Sequence, residues 1–347
     1  MASKNTNSTS SWQWLRELVA IDSPTGYTEA AGAYVYNKLK MMGWSPSHNR
    51  KGGVHCTLGD RPKLLIAAHF DTLGAMVKNI NEDGSLSITK LGGPVLASYE
   101  GSYLRIITHS GKVYTGTLLL NNPSSHVNKS ADGQKRTVEN MHIRLDEEVK
   151  TKADTLLLGI NTGDIIAFDP SYQELDNGFI KSKFMDNKAG CMVLLLLAER
   201  IKKELKNVPV ELYFSNYEEV GHGSAIQFDK YIEEMIVIDM GVVGNGCAGE
   251  EIACSICAKD SSGPYDYGMR KHLIDLADIH HIPYRIDIYP YYGSDGSAAL
   301  IAGNDMRVAL IGPGVAASHG IERTHKKGIV ATLDLCMAYI NDLIKNK

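Results

Sequence analysis

The feature that most constrains this chain is a series of short apolar runs, each stopping abruptly at an acidic or imidazole side chain. Residues 63–68 read KLLIAA and end in His69-Phe70-Asp71. A run this short, with polar residues at its end, reads as a buried strand delivering side chains at its carboxyl edge. Residues 208–214 form a second such run and lead to Glu218-Glu219, and residues 235–239 form a third, closed by Asp239. Further strands are expected at 284–288 and 307–311. Helical periodicity occupies the intervals: residues 11–21, a segment capped by Thr28 and stopped at Gly43, then 188–205, 224–234, 269–280 and a closing helix at 332–344. Strands that alternate with helices imply a mostly parallel sheet with helices on both faces, an α/β architecture.

The texture changes between residues 73 and 169. Short alternating stretches such as Leu86-Ser87-Ile88-Thr89 and Tyr103-Leu104-Arg105-Ile106-Ile107 are separated by Gly, Asn and Asp. That rhythm predicts small antiparallel strands joined by tight turns. The α/β stretches flank it, so the economical division is one α/β domain, residues 1–72 and 170–347, interrupted by an inserted β-rich domain, residues 73–169. The polar segment 124–136 is the expected mobile loop.

Composition narrows the function classes. The 347 residues carry a formal charge of −4, with no basic excess to neutralise nucleic-acid phosphates. No run of ~18 apolar residues occurs, so no membrane span is expected. The N-terminal stretch, residues 1–11, is rich in Ser, Asn and Thr and lacks the apolar core of a signal peptide, which leaves the cytoplasm as the default compartment. Cys254 and Cys257 form a CxxC, but no second ligand pair follows as a zinc knuckle requires. The six cysteines form no disulfide framework, and several sit in apolar runs where a thiol behaves as a small hydrophobe.

In an open α/β sheet, ligands bind beyond the carboxyl ends of the strands, where His69, Asp71, Glu218, Glu219 and Asp239 are expected to converge with Asp186. A lone strand-end histidine is more often structural, and two adjacent glutamates are usually solvated. Four apolar runs or helix starts that end in such groups are not explained by helix or strand period. One or two imidazoles with several carboxylates suit two divalent cations, which can polarise a carbonyl and supply a nucleophile at neutral pH.

Several short motifs in one order make the reading specific: AHFDTLGAMV from Ala68, KFMDNKAG from Lys183, YEEVGHGSA from Tyr217, VIDM from Val237 and GSDGSAA from Gly293. With Ser23-Pro24-Thr25-Gly26 they resemble, over nearly the whole chain, the tetrahedral-particle aminopeptidases, which include glutamyl and deblocking aminopeptidases. The resemblance implies a zinc-aminopeptidase-like catalytic domain with a β-barrel-like dimerisation domain inserted just after the first His-x-Asp. It also implies hydrolysis of the N-terminal peptide bond of short peptides by a metal-bridging hydroxide, and a homo-oligomer, a dimer or a dodecamer. Two divalent ions per subunit are expected, zinc first, with cobalt or manganese also suited to such ligands.

Carried over residue by residue, His69 is expected to bind one metal, with Asp71 orienting its imidazole. Asp186 bridges both ions, Glu218 is the general base, Glu219 binds the second metal and Asp239 the first. Asp186 could also cap its helix. The two adjacent glutamates are expected to separate their roles by pointing opposite ways from an extended segment.

The last ligand departs from the commoner pattern, because SHGIERTHKKG offers both His319 and His325. His325 is the expected ligand, on its distance to the closing helix and the nearby Arg323. His222 is not expected to take part, and Asp295 either shapes the substrate pocket or makes a turn. An N-acyl amino acid deacylase on the same metal pair is the alternative activity. A glycosidase would instead need two carboxylates flanking a sugar site, a purpose that histidine ligands and a bridging aspartate do not serve.

Overall fold

A computed structural model describes residues 11–345, so all but the last residue of the polar N-terminal stretch lies outside the described residues. Four parallel strands form the centre of the main sheet, in the order Val210–Ser215, Leu64–His69, Glu234–Ile238 and Arg307–Ala316. Ser215 pairs with His69, and Val237 with Ala67, so the carboxyl ends finish nearly level. Val54–Thr57 runs antiparallel along one side, and Cys254–Lys259 runs antiparallel to Arg307–Ala316 on the other.

The strands Leu64–His69 and Val210–Ser215 are buried throughout, which explains why both read as unbroken apolar runs rather than alternating ones. One face of the sheet packs on Met185–Glu204 and the closing helix Lys326–Lys345, joined by Trp12–Ala20, Glu29–Met41 and Tyr267–Ile279 in a continuous core. The opposite face, carrying Leu65, Ala67, Tyr213, Val237 and Leu310, meets the short helix Asp295–Ile301 through Ala299. The CxxC lies inside the strand Cys254–Lys259, so its thiols fall on opposite faces and enter different clusters.

The chain leaves Leu64–His69 and passes directly into a closed barrel of six antiparallel strands. They follow one another around the barrel as Gly74–Ile80, Leu86–Leu91, Met141–Leu145, Val113–Leu120, Tyr103–Ile107 and Ile165–Phe168. Closure removes the free edges that an isolated small sheet would expose. Leu86, Ile106, Leu118, Ile143 and Ile166 fill a core separate from that of the α/β part. Arg105, on a barrel strand, grips Asp22 of the α/β part with two bonds of 2.6 and 2.5 Å, a fork that fixes orientation as well as adding energy.

The helix expected at residues 224–234 does not form. Its amides are taken by other partners: Asp295 accepts from Ser224 N, Asn304 from Phe228 N and Asp229 from Tyr231 N. These side chains offer the backbone an alternative to the helical ladder, and the apolar period alone could not reveal them.

Gly312 lies against the end of the neighbouring strand, where an added β-carbon would come within 1.7 Å of the Asp239 carbonyl oxygen. Gly312→Ala must therefore push the two strands apart at Asp239. A loss of about 1–3 kcal/mol in urea unfolding is expected. Unchanged stability would show that the strand end can shift freely.

Candidate metal centre

Each acidic or imidazole group reaches the carboxyl edge by its own local device. His69 is the last residue of its strand and is 1% exposed. Its Nδ1 lies 3.0 Å from the carbonyl oxygen of Asp71. A carbonyl has no proton to give, so Nδ1 is the donor, and the Nε2 lone pair faces the carboxylates. The Asp71 carboxylate is 3.6 Å away and is engaged elsewhere. It accepts from Thr25 Oγ1 at 2.7 Å, Glu218 N at 3.1 Å and Glu219 N at 3.4 Å. Orientation of His69 thus comes from the backbone of Asp71, while its side chain braces the glutamate turn.

That turn is 3-10 rather than extended. Tyr217 enters it at φ 73°, Glu218–Val220 form a single turn, and Gly221 leaves it at φ 86°. At three residues per turn, successive side chains diverge by roughly a third of a circle, so adjacent glutamates still face different neighbours. The Glu218 carboxylate lies 3.7 Å from His69 Nε2, and the Glu219 carboxylate lies 3.8 Å from His319 Nε2.

Asp186 and Asn187 hold non-helical conformations at the start of Met185–Glu204. The capping is done by Asn187, whose Oδ1 accepts from Gly190 N at 3.1 Å and whose Nδ2 donates to the Ile238 carbonyl at 2.8 Å. Asp186 is released from that role. One of its oxygens lies 3.2 Å from His69 Nε2 and the other 3.6 Å from His319 Nε2. Asp239 Oδ1, 3.9 Å from His69 Nε2, completes the first group. Donor atoms of His69, Glu218 and Asp239 all fall within 4.8 Å of one another.

His325 is not brought to this cluster. Its Nε2 donates to the Asn177 carbonyl at 2.9 Å, its Nδ1 accepts from Lys327 N at 2.9 Å, and Phe179 packs edge-on against the ring. Both nitrogens are occupied, which corrects the expectation drawn from spacing. His319 stands at the cluster instead, at φ 61° in a turn, with Nδ1 3.0 Å from the carbonyl of Gly93. The same tautomer argument turns its Nε2 lone pair inward. Gly93 follows the barrel strand Leu86–Leu91, so the inserted segment orients one of the two imidazoles.

Two further residues were not expected in supporting roles. Glu322, 1% exposed, accepts from Asp186 N and His319 N, both at 3.0 Å, and so fastens the two segments together. Asp295 accepts from Ser215 Oγ and from Ser224 N at 2.7 Å, which ties the ends of the glutamate loop. A β-carbon on Gly223 would collide with that carboxylate at 2.2 Å. His222 stacks on Tyr217 and has no contact with the cluster carboxylates.

The electrostatics are those of crowded acids. Burial, then the neighbouring carboxylates, pushes Glu218 and Glu219 well above the usual range and Asp239 up to about 8. Burial also opposes ionisation of Asp186, but the imidazoles of His319 and His69 hold it below the ordinary carboxylate range. Asp186 raises His319 to about 9, so a proton and a cation compete for its inward Nε2. The buried Glu219 Oε1 has no hydrogen-bond partner. An orphaned carboxylate oxygen beside inward-facing imidazole nitrogens fits a divalent cation, which would displace their protons and supply the missing positive charge. Asp186 stands between the two imidazoles, with Asp239 beside His69 and Glu219 beside His319.

The Peptidase M42 model, described as M42 glutamyl aminopeptidase, matches residues 52–335. The chain belongs to the M42 glutamyl aminopeptidase family. Within reach of this M42 chain is the Bacillus subtilis (strain 168) protein named "Putative aminopeptidase YhfE", 46% identical over 94% of this chain and 96% of its own. The fold is shared with a TET aminopeptidase of Thaumarchaeota archaeon SCGC AB-539-E09, at a TM-score of 0.85, 19% identity and coverage of 96% and 97%. A Pyrococcus horikoshii TET1 peptidase that can assemble into a tetrahedron or a large octahedral shell matches at 0.82, with 19% identity and coverage of 95% and 99%. As a member of the M42 family the chain is an aminopeptidase, a hydrolase; among the described residues no helix is long and apolar enough to cross a membrane.

His319→Ala and His325→Ala separate the two histidines. The first is expected to lose about one bound ion per chain and its turnover, and the second to keep both. Metal counting on the purified variants decides, and the opposite pattern would return His325 to the centre.

Proposed function

We propose that this chain is a divalent-cation-dependent aminopeptidase that removes single residues from the free amino ends of short peptides. The observation that carries the reading is Asp186, whose two carboxylate oxygens face two different imidazoles, at 3.2 and 3.6 Å. A carboxylate held this way can be shared by two cations. His69 and Asp239 would complete one site, and His319 and Glu219 the other, with zinc, cobalt or manganese suited to such donors. Bound there, the ions would polarise the scissile carbonyl and lower the pKa of attacking water.

The chain's own residues do the rest. Glu218 faces the cluster cavity, and its burial raises its proton affinity, the direction a general base near neutral pH requires. It is assigned to take the proton of the attacking water and hand it to the leaving amine. Asp71 holds the amides of Glu218 and Glu219, so both carboxylates keep their places as charge moves. The substrate's free amine would lie against the second donor set, which restricts cutting to chain ends. Residues 73–169 are read as the self-association domain of a homo-oligomer, a dimer or larger shell, set into the catalytic domain of residues 1–72 and 170–347. The cytoplasm is the proposed compartment.

Glu218→Gln is expected to keep its bound metal while turnover falls about 10²- to 10⁴-fold. Retained activity would remove Glu218 from the base role, and lost metal would make it a ligand. Chelation should abolish hydrolysis of aminoacyl anilides, and added divalent metal should restore it. Cleavage of N-acyl amino acids with no cleavage of free-amine substrates would instead assign a deacylase.

A further inference from the structure

Two cavities open from the carboxylate cluster, and the one basic side chain both share, His319, already faces Asp186 and Glu219. The larger, about 350 Å³, lies between Tyr292 and the helix Asp295–Ile301, with Ser262, Ser294, Ser297, Ala298 and Ile301 on its walls. The other, about 330 Å³, is bounded by Met240, Val242, Cys247 and Tyr289. Among the described residues, no Lys or Arg lines either one. Their only acidic groups are Asp186, Glu218, Glu219 and Asp239, all members of the cluster.

Cations on the flanking segments have partners elsewhere. Arg307 pairs with Glu234, Arg323 with Glu251, and Lys51 donates to the carbonyls of His222 and Gly223. Asp260, just behind the serine wall, accepts from Tyr265 Oη at 2.7 Å, Ser297 Oγ at 2.9 Å, Ser262 N at 2.7 Å and Gly263 N at 3.2 Å. Those four donors satisfy its carboxylate, so it is not left to receive a cationic substrate group.

We infer that the residue removed by this enzyme carries an uncharged side chain, aliphatic or small and polar, seated in the cavity between Tyr292 and Asp295–Ile301. The inference rests on the aminopeptidase reading of the cluster and adds its substrate class. The serine hydroxyls and the Ala298 and Ile301 side chains offer a half-polar, half-apolar wall. A glutamate side chain there would be desolvated with no partner, and a lysine would find only carboxylates required by the cations. The wall is therefore selective by what it lacks.

The test is a panel of leucyl, alanyl, glutamyl and lysyl p-nitroanilides with the full-length, metal-loaded protein. Leucyl or alanyl substrates should exceed both charged ones by about 10- to 100-fold in kcat/KM, the ratio expected when a charged group is buried unpaired. Ser262 is exposed, so Ser262→Arg places a cation at the cavity mouth without disturbing the core. It should raise the glutamyl-to-leucyl ratio about tenfold or more. Wild-type preference for glutamyl or lysyl substrate would overturn the inference alone. An unchanged ratio in Ser262→Arg would overturn the seating of the side chain in this cavity. Inactivity of the metal-loaded protein on all four substrates would overturn the aminopeptidase reading, and this inference with it.

Discussion

Mutual repulsion among buried carboxylates is the constraint around which the rest of this structure is arranged. Asp186, Glu218, Glu219 and Asp239 meet in one space at the edge of the sheet, where, among the described residues, His69 and His319 are the basic groups within 4 Å. Buried acids do not stay ionised together without compensation. The fold holds them close by a second layer of groups that bond to backbone rather than to the acids themselves. Asp71 holds the glutamate turn, Asp295 its two ends, and Glu322 the amides of Asp186 and His319. Each of these is itself a buried carboxylate, so one layer of negative charge is positioned by another.

The parallel sheet contributes more than a platform. Because its strands end nearly level, residues separated by more than a hundred positions in sequence share one depth. The backbone carbonyls of Asp71 and Gly93 then choose the imidazole tautomers, and that choice turns the lone pairs inward. Fold and chemistry are joined here by hydrogen bonds to main chain, which depend on chain path and little on side-chain identity.

This explains what the sequence could and could not reveal. Buried strands with polar ends are legible because hydrophobicity changes sharply at residues such as Ala68 and Ile238, and those ends carry His69, Asp71 and Asp239. The barrel was legible as a change of rhythm. The last histidine was not: His319 depends on a left-handed turn, with Ala317 at φ 57° and His319 at φ 61°, conformations that leave no residue signature here because neither is glycine. Spacing favoured His325, which ends a strand and spends both nitrogens locally. The 3-10 turn at Glu218 was equally hidden, since no periodicity survives in three residues. Glu322 carries no signal, and Asp295 reads only as a pocket or turn residue, because their work is done on amides far away in the chain.

The bond from His319 to Gly93 carries a consequence for how the molecule is completed. The barrel strands run from Gly74–Ile80 to Ile165–Phe168, and a main-chain oxygen just beyond Leu86–Leu91, that of Gly93, reaches back to His319 of the α/β part. A polypeptide lacking the insertion would still present His69, Asp186 and Asp239 but would leave the second imidazole without a tether. Seating of the small barrel against the α/β part is therefore a condition for His319 to keep its inward-facing position.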